Sequence, residues 1–124
     1  MGFQYETIDH VQLAVPIGGE AQARKFYVGI LGFEEIEKPA LLRKNGGVWF
    51  KAGTVNIHVG IEEPFIPAKK AHPAILVKDI LSMKNYLFKK HIDFVVDERL
   101  PGANRFYVKD PFGNRLEFLE WDLK

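Results

Sequence analysis

The sequence predicts an α+β fold: two βαβββ modules in tandem forming a cupped mixed β-sheet with the helices outside. Three observations carry this. Short apolar runs recur with a period of two, and two longer ones recur with the helical period. Glycine, proline and asparagine punctuate those runs. The order strand, helix, three strands occurs twice, and the early histidines of the two copies, His10 and His72, are 62 residues apart in a chain of 124. The expected organisation is one domain over 1–124, with module one at about 6–62 and module two at about 70–122.

Ile8 to Val15 reads as a strand, because Val11, Leu13 and Val15 alternate with His10, Gln12 and Ala14. Pro16 and Gly18-Gly19 stop it. Glu20 to Leu31 reads as a helix with Ala23, Phe26, Tyr27, Ile30 and Leu31 on one stripe and Gly32 as its C-cap. Strands follow at about 33–38, 47–52 and 54–60, turned by Lys44-Asn45-Gly46 and Ala52-Gly53. A proline-containing linker spans 62–70. His72 to Lys78 opens the second copy as a strand. Asp79 is placed to cap a helix marked by Ile80, Met83, Tyr86 and Leu87. Strands at 93–99, 105–109 and 115–121 complete it, the last two joined by the turn Asp110-Pro111-Phe112-Gly113-Asn114.

Composition narrows the function classes. Basic and acidic residues are interspersed and the formal net charge is +1, which gives no reason to expect a nucleic-acid or membrane partner. The chain has no cysteine, which removes disulfides, thiolate metal sites and a cysteine nucleophile. Residues 1–16 carry Glu6 and Asp9 where a signal peptide needs a basic and then an apolar region, so a cytoplasmic location is expected. No Gly-rich phosphate loop and no G-x-S-x-G is present.

Strand parity singles out the chemistry. If Val11, Leu13 and Val15 face the helices, His10 and Gln12 face the other way. The same rule turns Asn56 and His58 away from the helices on the fourth strand, His72 on the fifth and Glu117 on the last. Burying such groups on a sheet is costly without a partner. One divalent metal ion (zinc, iron, nickel, cobalt or manganese) would supply it, with His10, His58, His72 and Glu117 as candidate ligands. Taken singly, each histidine is as well explained as a hydrogen-bonded neighbour of its fold; the repeat-equivalent placement of all four favours a metal. His58 could instead be a pocket residue or a base. Gln12, Trp49, Asn56, Arg105 and Tyr107 share the ligands' face and are candidates for substrate binding, although Trp and Tyr serve equally as core. His91 reads as a helix-end residue favoured by the dipole, and Lys69 and Lys70 as a solvated loop.

These residues resemble a known family. D-H-V-Q-L-A-V at 9–15, A-R-K-F-Y-x-x-I-L-G-F at 23–33, the His72 strand and Y-V-K-D-P-F-G-N-R-L-E-F at 107–118 resemble the vicinal oxygen chelate superfamily of glyoxalase I, bleomycin resistance proteins, extradiol dioxygenases and fosfomycin resistance transferases. Phe112 stands where many members carry Asp. The resemblance implies metal ligands at His10, His72 and Glu117. Glyoxalases carry Glu or Gln at the position of His58, and Trp49 and Tyr107 match pocket-lining positions in fosfomycin-modifying relatives. It also implies a homodimer and a small oxygenated substrate. The implied activity is a metal-dependent lyase or isomerase with Glu117 or His58 moving a proton. The alternatives are an iron(II) extradiol-type dioxygenase and a non-catalytic drug-binding dimer.

Overall fold

The computed structural model describes residues 2–122. The chain divides into two compact units, one ending at Glu63 and the other beginning at Pro64.

The first unit runs β1 (Val11–Val15), α1 (Glu20–Tyr27), β2 (Glu34–Ile36), a 3-10 helix (Ala40–Asn45), β3 (Val48–Ala52) and β4 (Val55–Ile61). Its four strands form one mixed sheet in the order β1-β4-β3-β2, with β1 parallel to β4 and the other pairs antiparallel. The second unit repeats the plan with β5 (Ala74–Leu76), α2 (Ile80–Lys89), β6 (Val95–Val96), β7 (Ala103–Lys109) and β8 (Arg115–Trp121), in the order β5-β8-β7-β6. The α+β class and the doubled βαβββ order are as the sequence predicts. Among the described residues no helix is long and apolar enough to cross a membrane.

Each unit buries one face of its sheet. In the first, Tyr27 of α1 stacks on Phe50 of β3 with ring centroids 5.2 Å apart, and Phe26 and Phe33 meet Tyr27 edge-on. Val15, Val48, Ile57 and Val59 complete that buried set. In the second, Phe106 lies between Phe94 and Phe118, among buried Ile80, Leu87, Val108 and Leu116. Burying each such side chain stabilises its unit by about 1.5–3 kcal/mol. The alternation along β3, β4, β7 and β8 then presents the intervening residues on the opposite face.

Several boundaries differ from the sequence expectation. β1 begins at Val11 rather than Ile8, the first residue that pairs with β4, where it lies beside Ile57. β5 begins at Ala74 rather than His72: Pro73 has no N–H to donate, although its carbonyl accepts from the Glu117 amide at 3.0 Å. Helix α1 stops at Tyr27, and the chain continues to Leu31 in wider turns, with the Gly29 and Leu31 amides reaching back five residues. Tyr86, expected on the buried stripe of α2, is 41% exposed. The strand expected at 93–99 shrinks to Val95–Val96, because the Asp97 carboxylate captures the Arg99 amide at 3.0 Å and curls the chain. Residues 40–45 form the 3-10 helix where only a turn at 44–46 was expected. Asp79 does cap α2, accepting from the Ser82 amide at 3.2 Å, and Glu120 of β8 takes the Asp79 and Ile80 amides at 3.1 and 3.0 Å. His91 follows α2 in the left-handed conformation, exposed.

Candidate metal half-sites

The face of each sheet turned away from its helix carries one cluster of polar and aromatic side chains. In the first unit, strand register sets Trp49 directly opposite His58 on one side and Gln12 opposite His58 on the other. His10, just ahead of β1, completes the group. The three rings form a continuous stack. His10 and His58 lie 4.1 Å apart and 14° from parallel, and Trp49 and His58 lie 4.0 Å apart and 6° from parallel. The His10 Nδ1 pairs with the Asp9 carboxylate at 2.8 Å. Burial, and secondly the neighbouring His10, hold the His58 imidazole below its ordinary range. Two nearly parallel stacked rings aim their in-plane nitrogens along parallel planes. His10 and His58 therefore cannot grip one ion together unless one ring turns. Gln12 lies exposed along the edge of β4 beside Gly60, and Asn56 is half-buried opposite Lys51.

In the second unit, register sets Tyr107 opposite Glu117, the counterpart of Trp49 opposite His58. Glu117 is only 6% exposed, yet both carboxylate oxygens are engaged: Oε1 lies 2.9 Å from His72 Nε2, and Oε2 accepts from Arg105 at 3.4 Å. The His72 Nδ1 donates to the Lys70 carbonyl at 2.7 Å, since a carbonyl oxygen only accepts. That leaves a nitrogen lone pair of His72 facing a carboxylate oxygen. Two acceptors converge there, and something positive must lie between them, a proton or a metal ion. The donor chemistry thus fits a divalent metal, with the Lys70 carbonyl fixing the tautomer.

Behind Glu117 runs a network the sequence reading did not include. Asp97, 6% exposed, accepts from Arg99 at 2.7 and 2.9 Å, from Arg105 at 3.2 Å and from the Tyr107 hydroxyl at 3.3 Å. These donors, Arg99 foremost, hold the Asp97 carboxyl far below its ordinary range. Tyr107 also meets His72 edge-on at 5.5 Å and lies under the Arg115 guanidinium at 3.8 Å. Arg115 was likewise missed, although it has the parity of Glu117 two residues on.

A folded-state value below the unfolded one, about 4, means that the Asp97 contribution is full above that pH. It is lost as pH falls through the lowered folded value. Asp97→Asn should therefore be less stable than the wild type at pH 7, with the gap narrowing steadily as pH falls below about 4. Urea denaturation across that range checks it, and a pH-independent gap would assign the loss to packing alone.

The structure thus brings the site residues together in two groups. His10, His58, Trp49 and Gln12 gather in the first unit, and His72, Glu117, Arg105 and Tyr107 in the second. Among the described residues no group of three or more His, Asp or Glu is placed to hold a metal ion, so each unit presents a pair of candidate donors.

The family model of the Glyoxalase/Bleomycin resistance protein/Dioxygenase superfamily matches residues 7–118. The chain belongs to this superfamily. A solved structure assigned to the glyoxalase family, from Bacillus anthracis, is 50% identical, with a TM-score of 0.95 over 98% of this chain and 100% of that one. A glyoxalase family protein from Enterococcus faecalis is 25% identical, with a TM-score of 0.72 over 94% of this chain and 98% of that one. The lactoylglutathione lyase of Agrobacterium tumefaciens shares the fold at 21% identity, with a TM-score of 0.73 over 94% of each chain. No curated protein matches the chain. The glyoxalase-superfamily motif at 107–118 is the β7–β8 hairpin that sets Tyr107 against Glu117.

Proposed function

We propose that this glyoxalase-superfamily chain is a cytoplasmic, homodimeric, metal-dependent enzyme acting on a small oxygenated molecule, with lyase or isomerase chemistry. The observation that supports it most is the His72–Glu117 pair, a His72 ring nitrogen 2.9 Å from a carboxylate oxygen of buried Glu117. In this reading His72 and Glu117 are metal ligands from the second module and His10 is a metal ligand from the first. When bound, the ion would polarise a substrate oxygen and stabilise an oxyanion. Arg105 orients the Glu117 carboxylate and Asp97 orients Arg105 and the Tyr107 hydroxyl. Glu117 or His58 holds the proton that is moved; His58 suits a base, because burial favours its neutral form. Trp49, Gln12, Asn56 and Tyr107 bound the substrate.

The test is metal content by mass spectrometry after equilibration with a panel of zinc, iron(II), nickel, cobalt and manganese, beside a His10→Ala/Glu117→Ala double variant. Near-stoichiometric metal in the wild type and loss in the double variant are expected. Iron as the preferred metal would move the assignment to ring-cleaving dioxygenase chemistry. No metal in the wild type would sink the catalytic reading. One observation favours a second reading in that event: the His10–His58–Trp49 stack is an aromatic platform of the kind that a drug-binding, non-catalytic dimer needs.

A further inference from the structure

At the turn end of the second module's open face, strand register sets Arg115 of β8 directly opposite Lys109 of β7. Residues opposed in this way project to the same face. Here it is the face of Tyr107 and Glu117, because 107 and 109 share one parity and 115 and 117 the other strand's. Like charges directly opposite one another weaken a sheet. Among the described residues no carboxylate or carbonyl meets the guanidinium of Arg115, which lies over the Tyr107 ring at 3.8 Å, and none pairs with Lys109. The two carboxylates of the cluster are committed elsewhere, Asp97 to Arg99 and Arg105, and Glu117 to His72 and Arg105.

Stacking on Tyr107 fixes the plane of the Arg115 guanidinium and leaves its N–H edge free for a planar or tetrahedral oxyanion. The Tyr107 ring is itself held, by its hydroxyl on Asp97 and by the His72 edge. The platform is therefore pre-ordered before any ligand arrives. Lys109, exposed beside it, adds a mobile second cation.

We infer that Arg115, with Lys109, is the recognition site for a compact oxyanion, a carboxylate or phosphoryl group carried by the substrate, at the end of the face that bears Glu117. This deepens the proposed function by naming the substrate as anionic, and in that respect rests on it.

The experiment titrates inorganic phosphate, and separately acetate, into the full-length protein treated with a chelator. It follows the Arg115 side-chain Nε–H resonance and the heat of binding. Saturable phosphate binding that moves the Arg115 resonance is expected. Arg115→Gln should weaken phosphate binding about tenfold or more, Lys109→Gln should weaken it several-fold, and Arg115→Lys should restore part of the loss. Phosphate bound far more tightly than acetate would assign a phosphoryl group, and comparable affinities a carboxylate. Phosphate binding unchanged in Arg115→Gln, or an Arg115 resonance that phosphate does not move, would overturn the inference. The metal content of the same Arg115→Gln protein separates the two readings. Metal retained without anion binding in the wild type sinks only this inference, and anion binding through Arg115 in a chain that never takes metal sinks only the metalloenzyme.

Discussion

Glu117→Gln is expected to abolish tight binding of a divalent metal while leaving the metal-free fold about as stable as the wild type. The carboxylate faces Nε2 of His72 through one oxygen and the Arg105 guanidinium through the other. An amide fits that pattern without a metal: its NH2 donates to His72 Nε2 and its oxygen accepts from Arg105. It cannot serve as an anionic ligand, so affinity should fall by at least the 10–100-fold that supporting residues alone command. Glu117→Ala is the contrasting case. It removes the acceptor from a buried arginine and from His72, and should cost about 3 kcal/mol even without metal. Metal titration and urea denaturation of both variants, in chelator and in excess metal, check this. Metal-dependent stabilisation should be present in the wild type and absent in both variants. A Gln variant that still binds metal as tightly as the wild type would remove Glu117 from the ligand set.

How much of this was legible in the sequence depends on how local the cause was. β8 was read to the residue, Arg115–Trp121, because Leu116 and Phe118 alternate with Arg115 and Glu117 and Asp110 closes the preceding turn through its own side chain, accepting from the Phe112 and Asn114 amides at 2.9 and 2.8 Å. The parity argument also placed Trp49, His58, Tyr107, Arg105 and Glu117 on the faces away from the helices, since parity follows directly from the pleat. The misses have non-local causes. β1 starts where the chain first pairs with β4, Val11 beside Ile57, 46 residues later in the chain. The collapse of β6 comes from the Asp97 carboxylate bonding forward to Arg99, a competition between side chain and ladder that hydrophobic alternation does not register.

The same distinction separates what was and was not visible of the site. Residue type and face nominated His10, His58, His72 and Glu117. Neither says how an imidazole is turned. The stacking of His58 between His10 and Trp49 follows from side-chain rotation and from the cross-strand neighbour. The proposed function rests on it in dividing two roles that spacing alone leaves merged, a ligand at His10 and a stacked base at His58. Arg115 lay in plain view within the most specific motif of the chain and had the parity of Glu117. What the sequence lacked was the register that places Lys109 opposite it and so makes its missing counter-charge conspicuous. Asp97 had no such signal, because it sits where the alternation ends.

The second large effect concerns the hairpin that positions the first half-site. Gly47→Ala should destabilise the protein by about 3 kcal/mol or more, far beyond the same change at Gly53. Gly47 enters β3 at φ +85, and a Cβ built there would lie 2.2 Å from the backbone oxygen of Val59 on β4. Left-handed backbone costs an alanine roughly 1–2 kcal/mol by itself. The clash adds to this, because the obstructing atom belongs to the neighbouring strand and cannot swing away. Relief requires the start of β3 to move off β4, which also strains the bond from the Gly47 amide to the Glu20 carboxylate at 3.1 Å. Gly53 is the internal control. Its φ is +58, yet its Cβ would meet nothing within 4 Å, so Gly53→Ala should show the conformational cost alone. The consequence reaches the site, since Trp49 lies two residues after Gly47 and is held opposite His58 by that same pairing. Urea denaturation of both variants gives the stability difference, and Trp49 fluorescence in a Trp121→Phe background reports the stack. Equal losses at the two glycines would show that β3 can shift without cost. An unchanged Trp49 signal in Gly47→Ala would show that the His58–Trp49 contact does not depend on the hairpin's close approach.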